Sequence, residues 1–184
     1  MPNLRFVITG GPGAGKTTIL NALAERGYMY AAESARAIIK ERLASGWSPR
    51  PPLAQFGNAI LHRDIARYRE TRVTDHPVFF DRGRVDALCV LDQQHAIALG
   101  EAEAYVRSFP YNTVVLRMPP WEEIYRTNAE RDQTFSESVQ VCEDLRKWYA
   151  RWDYETIEVP RTAIDQRVNF ILQTVEYALT MPAS

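Results

Sequence analysis

Short apolar runs along the chain alternate with longer segments in which apolar residues recur every three or four positions. The short runs are rich in β-branched and aromatic residues, which predicts buried strands. The predicted strands are Phe6–Thr9, Tyr28–Ala32, Val78–Asp81, Thr113–Arg117 and Thr156–Val159. Strands that alternate with helices indicate one α/β domain over residues 1–184, in which helices cover both faces of a parallel sheet.

The longer segments place their apolar residues on one face, which predicts amphipathic helices. These segments are Thr17–Arg26, Ser34–Ser45, Leu53–Glu70, a helix from Gly83 to about Leu99, Glu101–Phe109, Thr134–Trp152 and Ile164–Leu179. Ser34 is expected to cap the second helix, Gly100 to end the fourth, and Thr134 with Glu137 to form a capping box. Residues 46–76, a proline-rich loop followed by a long helix, are expected to form a helical insertion.

A glycine-rich loop lies between the first predicted strand and the first predicted helix. Its sequence, Gly10-Gly11-Pro12-Gly13-Ala14-Gly15-Lys16-Thr17, matches G-x-x-x-x-G-K-[ST] in full and in the required context. Glycines let the backbone curl so that several N–H groups point inward, and the helix N-terminus adds partial positive charge. Lys16 is then expected to reach the β- and γ-phosphates of a nucleotide, and the Thr17 hydroxyl to bind Mg²⁺.

The third predicted strand ends in Asp81, which is followed by Arg82 and Gly83. In an open α/β sheet this edge faces the ligand crevice. Asp81 is therefore a candidate to hold Mg²⁺, directly or through water, or to accept a proton from a substrate hydroxyl. Arg82 is a candidate to bind a substrate anion or a phosphate. A strand-end turn with a surface ion pair explains the same residues without a function, so both interpretations stay open.

Glu33 and Arg36 follow the second predicted strand. They are candidates to contact an acceptor, because strand ends line the crevice. A helix-capping acid and a solvated arginine are the alternative interpretation of this pair.

The segment 121–135 follows two prolines and contains Arg126 and Arg131. In small kinases a lid at this place closes arginines over the transferring phosphate and excludes water. A solvated helix with Glu/Arg pairs would give the same charge pattern. We therefore keep both a lid and a solvated helix as interpretations of this segment.

Composition narrows the choice of partners and compartment. The formal net charge is -1, so no overall field favours nucleic acid or an anionic membrane. The two cysteines, Cys89 and Cys142, are far apart and lie in helical patterns, which favours buried free thiols over a disulfide or metal site. No apolar run is long enough to span a membrane, and residues 1–6 lack the apolar core of a signal peptide. We expect a cytoplasmic protein without a nucleic-acid partner, and the sequence leaves a homo-oligomer open.

Together these residues resemble the AAA-type P-loop domain family of NadR-like and TRPL-translocation-defect-like proteins, within the P-loop NTPase superfamily. The resemblance extends over nearly the whole chain, and the phosphate loop is its most specific part. The matching stretches are Phe6–Thr18, Ala32-Glu33-Ser34-Ala35-Arg36, Phe79–Gly83, Arg126–Arg131, Ile157-Glu158-Val159-Pro160 and Arg167–Leu172.

The resemblance implies a three-layer fold like that of nucleoside and nucleotide kinases, with a five-stranded parallel sheet and a small lid. It also implies ATP and Mg²⁺ as cofactors, with residues Gly11 to Thr18 around the phosphates. Pro160 would border the base, as the loop after the last strand does in such kinases. Many members of the family have no assigned substrate, so the resemblance does not imply an acceptor.

Two hypotheses for the function follow. In the first, a small-molecule kinase transfers the γ-phosphoryl group of ATP·Mg to a hydroxyl or phosphate acceptor. Its catalytic residues would be Lys16, Asp81, Arg126 and Arg131, and residues 46–76 would wall the acceptor pocket. Arg82 stands where ATP-hydrolysing motors carry a glutamate, and no lysine lies in an Asn-Lys-x-Asp guanine-binding sequence, which favours the kinase. In the second, the chain is a nucleotide-gated regulatory ATPase or GTPase-like protein with a protein or lipid partner.

Overall fold

The computed structural model describes residues 3–72, 75–125 and 134–180. Five strands form one sheet, and each neighbouring pair of strands is parallel. The strands are β1 (Arg5–Gly10), β2 (Met29–Ala31), β3 (Val78–Asp81), β4 (Val114–Met118) and β5 (Glu155–Glu158), in the spatial order β2-β3-β1-β4-β5. The predicted five-stranded parallel sheet is confirmed. Because β1 is central, the loops that follow β1, β3 and β4 open side by side at one edge of the sheet.

Helices cover both faces of the sheet. The described residues form α1 (Lys16–Glu25), α2 (Ser34–Ala44), α3 (Leu53–Glu70), α4 (Arg84–Gln93), α5 (Leu99–Ser108), α6 (Phe135–Arg151) and α7 (Ile164–Thr180). A short 3-10 helix, Glu122–Ile124, follows β4. No helix in the described part of the chain is long and apolar enough to cross a membrane.

Alternate residues of the strands enter two separate cores. Phe6, Ile8 and Phe79 pack with apolar residues of α1 and α7. Val7 and Phe80, which point to the opposite face, pack with apolar residues of α3, α4, α5 and α6. This alternation follows from the two-residue repeat of a strand, and it confirms the three-layer arrangement.

The predicted end of the fourth helix is wrong. α4 ends at Gln93 instead of near Leu99, and Gly100 lies inside α5. His95 adopts a left-handed backbone with φ 50°, and the Ala96 N–H donates to the Leu91 carbonyl at 2.9 Å. This return hydrogen bond closes α4 in the manner of a helix C-cap, so the chain needs no glycine there.

Two of the predicted caps have different outcomes. The capping box of Thr134 and Glu137 is confirmed, with Glu137 N–H donating to the Thr134 hydroxyl at 3.2 Å. The predicted cap at Ser34 is wrong, because Glu33 occupies the cap position and the Ser34 hydroxyl donates to Asp64 instead. The Ser34 hydroxyl therefore binds a buried acid of α3 instead of capping the helix.

Arg84, the first residue of α4, is fully buried. Its Nε donates to the Tyr105 carbonyl at 3.2 Å. Its guanidinium lies 4.3 Å from the ring centre of Tyr111 and 5.1 Å from that of Tyr68. Aromatic faces stabilise a cation at such distances. This contact fixes the start of α4 directly after the strand end that carries Asp81.

Candidate functional site

The glycine-rich loop joins β1 to α1 through backbone conformations that favour glycine. Gly10, Gly13 and Gly15 have φ values of 138°, 77° and 80°. Side chains with a Cβ atom rarely adopt these values, so glycine is required for the loop to turn back over the start of α1. The loop therefore presents backbone N–H groups at a helix N-terminus, an arrangement that binds phosphate.

Lys16 begins α1 and lies over this loop. Its Nζ donates to the carbonyl oxygens of Gly10 and Gly11, at 3.4 and 3.1 Å. Burial and the charge of Arg82 together lower the pKa of Lys16 to about 8, although the charge of Asp81 opposes the shift. The ammonium is therefore charged at neutral pH, as phosphate binding requires.

Two helices from the C-terminal half hold the loop in place. The Ser138 hydroxyl, on α6, donates to the Pro12 carbonyl at 2.7 Å. The Arg167 guanidinium, on α7, donates to the Ala14 carbonyl at 3.2 Å. The loop conformation thus depends on residues more than a hundred positions away in the chain.

Asp81 ends β3 and faces the loop in the parallel register that pairs it with Ile8 of β1. Its side chain is buried, and its Oδ1 has no hydrogen-bond partner among the described residues. Burial raises the pKa of Asp81 to about 6, although the charge of Lys16 opposes the shift. The Thr17 hydroxyl oxygen accepts from Arg36 at 3.2 Å. Oxygen donors of this kind suit Mg²⁺, so the residues present fit that ion.

Arg82 takes part in a chain of ion pairs. Its Nε donates to Glu33 Oε1 at 2.9 Å, and its Nη1 lies 3.3 Å from Asp86 Oδ1. Its backbone is left-handed, with φ 62°, a strained conformation that is typical of functional sites. Burial alone would raise the pKa of Glu33, but the charges of Arg82, Lys16 and Arg36 together lower it. Glu33 is therefore ionised.

Asp86, which was not identified from the sequence, lies on α4 at the centre of this network. Its carboxylate accepts hydrogen bonds from the Thr9 hydroxyl at 2.5 Å, the Gly83 N–H at 3.1 Å and the Tyr149 hydroxyl at 2.6 Å. These donors come from β1, the loop after β3 and α6. The only sequence signal for its buried position is that this acid lies within the apolar stretch Val85–Leu91.

Two cavities meet at the phosphate loop. The first has a volume of about 530 Å³ and lies between the loop, α2, α3, α4 and α6. The second, about 480 Å³, lies between the loop, the segment before α7 and the short 3-10 helix. Both cavities are lined by Gly13, Lys16, Thr17 and Arg36. We call them the α3-side cavity and the α7-side cavity.

The structure brings together most of the predicted site residues. Glu33, Arg36 and Arg82 line the α3-side cavity, and residues 13–18 of the loop line the α7-side cavity. Asp81 and Pro160 are among the described residues that line neither cavity. After β5, the residues that line the α7-side cavity are Thr162, Ala163, Ile164 and Arg167. The predicted lid arginines, Arg126 and Arg131, lie outside the described residues.

Three further cavity residues were not identified from the sequence. Trp121 and Arg167 line the α7-side cavity, with the Arg167 guanidinium 5.5 Å from the centre of the Trp121 ring. Asp64 lines the α3-side cavity from the middle of α3. Asp64 could have been noticed, because it continues the apolar face of that helix one turn after Ile60.

A model of the AAA domain family matches residues 5–167 of the chain. The chain belongs to this AAA domain family. The match confirms the resemblance that the phosphate loop and the strand ends indicated. No curated protein sequence matches this AAA domain.

Solved structures of several kinases have a similar fold. This AAA domain resembles deoxyadenosine kinase from M. mycoides with bound dATP, with 12% identity, a TM-score of 0.63 and coverage of 94% of this chain and 99% of that one. Thymidylate kinase from Candida albicans has 12% identity and a TM-score of 0.66, and the match covers 100% of this chain and 96% of that one. Shikimate kinase from Aquifex aeolicus has 17% identity and a TM-score of 0.56, and the match covers 96% of this chain and 99% of that one. The predicted kinase-like fold is confirmed, and identities this low establish the fold alone.

Replacing Tyr149 by Phe should destabilise the protein by about 1–3 kcal/mol, because a buried carboxylate oxygen of Asp86 loses a hydrogen-bond donor. The free energy of unfolding, measured by urea denaturation, tests this expectation. Tyr177→Phe is the matched control, because Tyr177 is 64% exposed. Equal stability of the two variants would show that the Tyr149 hydroxyl does not stabilise Asp86.

Replacing Lys16 by Ala should abolish the rise in melting temperature that ATP·Mg produces, because the ammonium over the loop is lost. Lys40→Ala, at an exposed position of α2, should respond to ATP·Mg as the wild type does. In the wild type, ATP affinity should fall as pH rises above about 8, where Lys16 loses its charge. Full stabilisation of the Lys16 variant by ATP·Mg would contradict the assignment of the loop.

Proposed function

We propose that this AAA domain is an ATP-dependent kinase that transfers a phosphoryl group to a small molecule. The observation that carries the proposal is the meeting of two cavities at Gly13, Lys16, Thr17 and Arg36. A kinase needs two ligands whose reacting ends meet at the phosphate loop. A nucleotide switch needs only the nucleotide cavity, so the second cavity favours the kinase.

The α7-side cavity suits the donor nucleotide. It is lined by six successive residues, Gly13–Thr18, which span the end of the loop and the first residues of α1. Trp121 and the segment Thr162–Ile164 supply an aromatic ring and backbone groups where a base and sugar would extend from the phosphates. Thr17 and Asp81 would hold Mg²⁺, which neutralises phosphate charge when it is bound. These residues support ATP·Mg as the donor.

The α3-side cavity suits the acceptor. Glu33 lines this cavity, whereas Asp81 is among the described residues that do not. We therefore assign the acceptor hydroxyl to Glu33, and we place Asp81 on the magnesium side. Leu53, Phe56 and Ile60 of α3 form the apolar wall, which supports the predicted acceptor role of residues 46–76.

The ion pairs keep Glu33 ionised, which is the form that can accept a proton. Arg82 contacts it at 2.9 Å and Arg36 at 3.7 Å, and both charges keep the carboxylate ionised. The hydroxyl proton passes to Glu33 as the acceptor oxygen bonds to the γ-phosphorus and the bond from that phosphorus to the β–γ bridging oxygen breaks. Lys16 and Arg36, which line both cavities, stabilise the charge on the transferring group. Arg126 and Arg131 remain proposed additional arginines for this step.

Replacing Glu33 by Gln should reduce acceptor-dependent ADP release by about 10²–10⁴-fold, because the proton acceptor is lost while the phosphate loop is intact. Candidate acceptors are nucleosides, sugars and aminoglycoside antibiotics, each tested for stimulation of ADP release from ATP. Asp81→Asn should also reduce turnover and leave ATP binding measurable. Glu41→Gln is the control, because Glu41 is exposed and pairs with Arg63 at the surface.

Two outcomes would contradict the proposal. If Glu33→Gln keeps wild-type turnover, Glu33 does not receive the proton. If ATP binds in a Lys16-dependent manner and no acceptor of the panel stimulates ADP release, the regulatory alternative is favoured over the kinase.

A further inference from the structure

Asp64 is a buried acid in the wall of the α3-side cavity. It lies in the middle of α3, and 7% of the residue is exposed. The Ser34 hydroxyl donates to Oδ1. The other oxygen, Oδ2, is buried and has no hydrogen-bond partner among the described residues. A buried carboxylate oxygen without a hydrogen bond costs folding free energy, so a hydrogen-bond donor from a ligand would stabilise this position.

Asp86 and Asp144, which also line this cavity, have both of their carboxylate oxygens engaged. Asp86 accepts from Thr9, Gly83 and Tyr149, as described above. Both oxygens of Asp144 accept hydrogen bonds, from Gln93 at 3.1 Å and Gln140 at 2.8 Å. Glu33 is held by Arg82. Among the described acids that line this cavity, Asp64 alone has a buried oxygen without a hydrogen-bond partner, and this oxygen is available to a ligand.

The helix spacing places Asp64 at the end of an apolar strip. Phe56, Ile60 and Asp64 are four residues apart on α3, so they share one face, and all three line the cavity. A ligand with a flat apolar body would lie against Phe56 and Ile60. Its edge would then reach the carboxylate of Asp64.

We propose that Asp64 recognises the acceptor by accepting a hydrogen bond at Oδ2 from an N–H group of an amine, amide or amidine. The inference rests on the proposed kinase function and specifies its substrate class. The acceptor has a hydroxyl group for phosphorylation, an apolar body and an N–H group at the far edge. Charge-assisted hydrogen bonds of this kind are stronger than neutral ones, so a cationic N–H group is preferred.

Several charged groups determine the ionisation of Asp64. Burial raises its pKa to about 7, and the Ser34 hydrogen bond opposes this shift. Asp86 on α4 also raises the pKa, whereas Arg67 on α3 and Arg84 on α4 lower it. From α2, the group that contacts Asp64 is the uncharged Ser34 hydroxyl. Recognition of an N–H donor should therefore strengthen as pH rises through about 7.

Three small probes of equal shape test the inference without knowledge of the acceptor. Benzamidine carries a cationic N–H fork, benzamide a neutral N–H group, and acetophenone no N–H group. Their affinities are measured by ligand-observed NMR titration of the wild type, Asp64→Asn and Asp144→Asn. Asp144→Asn is the matched control, because it makes the same chemical change in the same cavity wall. We expect the wild type and the control to prefer benzamidine over acetophenone by about tenfold, and Asp64→Asn to lose this preference.

Other outcomes would overturn the inference. It fails if the wild type shows no preference for benzamidine, if Asp64→Asn retains the preference, or if both variants lose it equally. If Asp64→Asn does not fold, the wild type decides the question by its pH dependence. A benzamidine preference that weakens from pH 8 to pH 6 supports the inference, and a preference that does not change with pH overturns it.

Stabilisation by ATP·Mg, measured on the same proteins, separates this inference from the kinase proposal. Normal stabilisation by ATP·Mg without the benzamidine preference refutes the role of Asp64 alone. A benzamidine preference without any ATP response refutes the kinase proposal and leaves Asp64 as a ligand-binding acid of another function.

Discussion

The buried carboxylate of Asp86 is the constraint around which the site is arranged. A buried charge is tolerated only when it is paired and hydrogen-bonded, so Asp86 requires Thr9, Arg82 and Tyr149 to converge on it. These residues come from the central strand, the end of β3 and helix α6. Once Arg82 is held in this way, its remaining contact fixes Glu33 at the edge of the α3-side cavity. The fold and the placement of Glu33, the proposed proton acceptor, therefore depend on the same interaction.

The sequence predicted the features that are determined locally. Each apolar run carries its own strand signal, and the glycine spacing of the phosphate loop needs no distant partner to be recognised. The hydrogen-bond partners of Asp86 and Asp64 were not predictable, because Thr9 lies 77 residues from Asp86 and Ser34 lies 30 residues from Asp64. Such pairs become visible only when the topology brings separate elements together.

The mistaken predictions have the same origin. Gly100 is a strong local signal for a helix end, but α4 is closed earlier by the hydrogen bond from Ala96 to Leu91. Ser34 is a good capping residue by type, but a carboxylate from α3 binds its hydroxyl. In both places a specific hydrogen bond outweighed the average preference of a residue type.

Arg36 lines both cavities and contacts both Thr17 and Glu33. A ligand that moves this side chain in one cavity alters the surroundings of the other cavity as well. Thermodynamic linkage then requires that each ligand change the affinity of its counterpart by the same factor. If the proposed donor and acceptor occupy the two cavities together, we expect cooperativity between them from the position of this one side chain, without any change in the sheet.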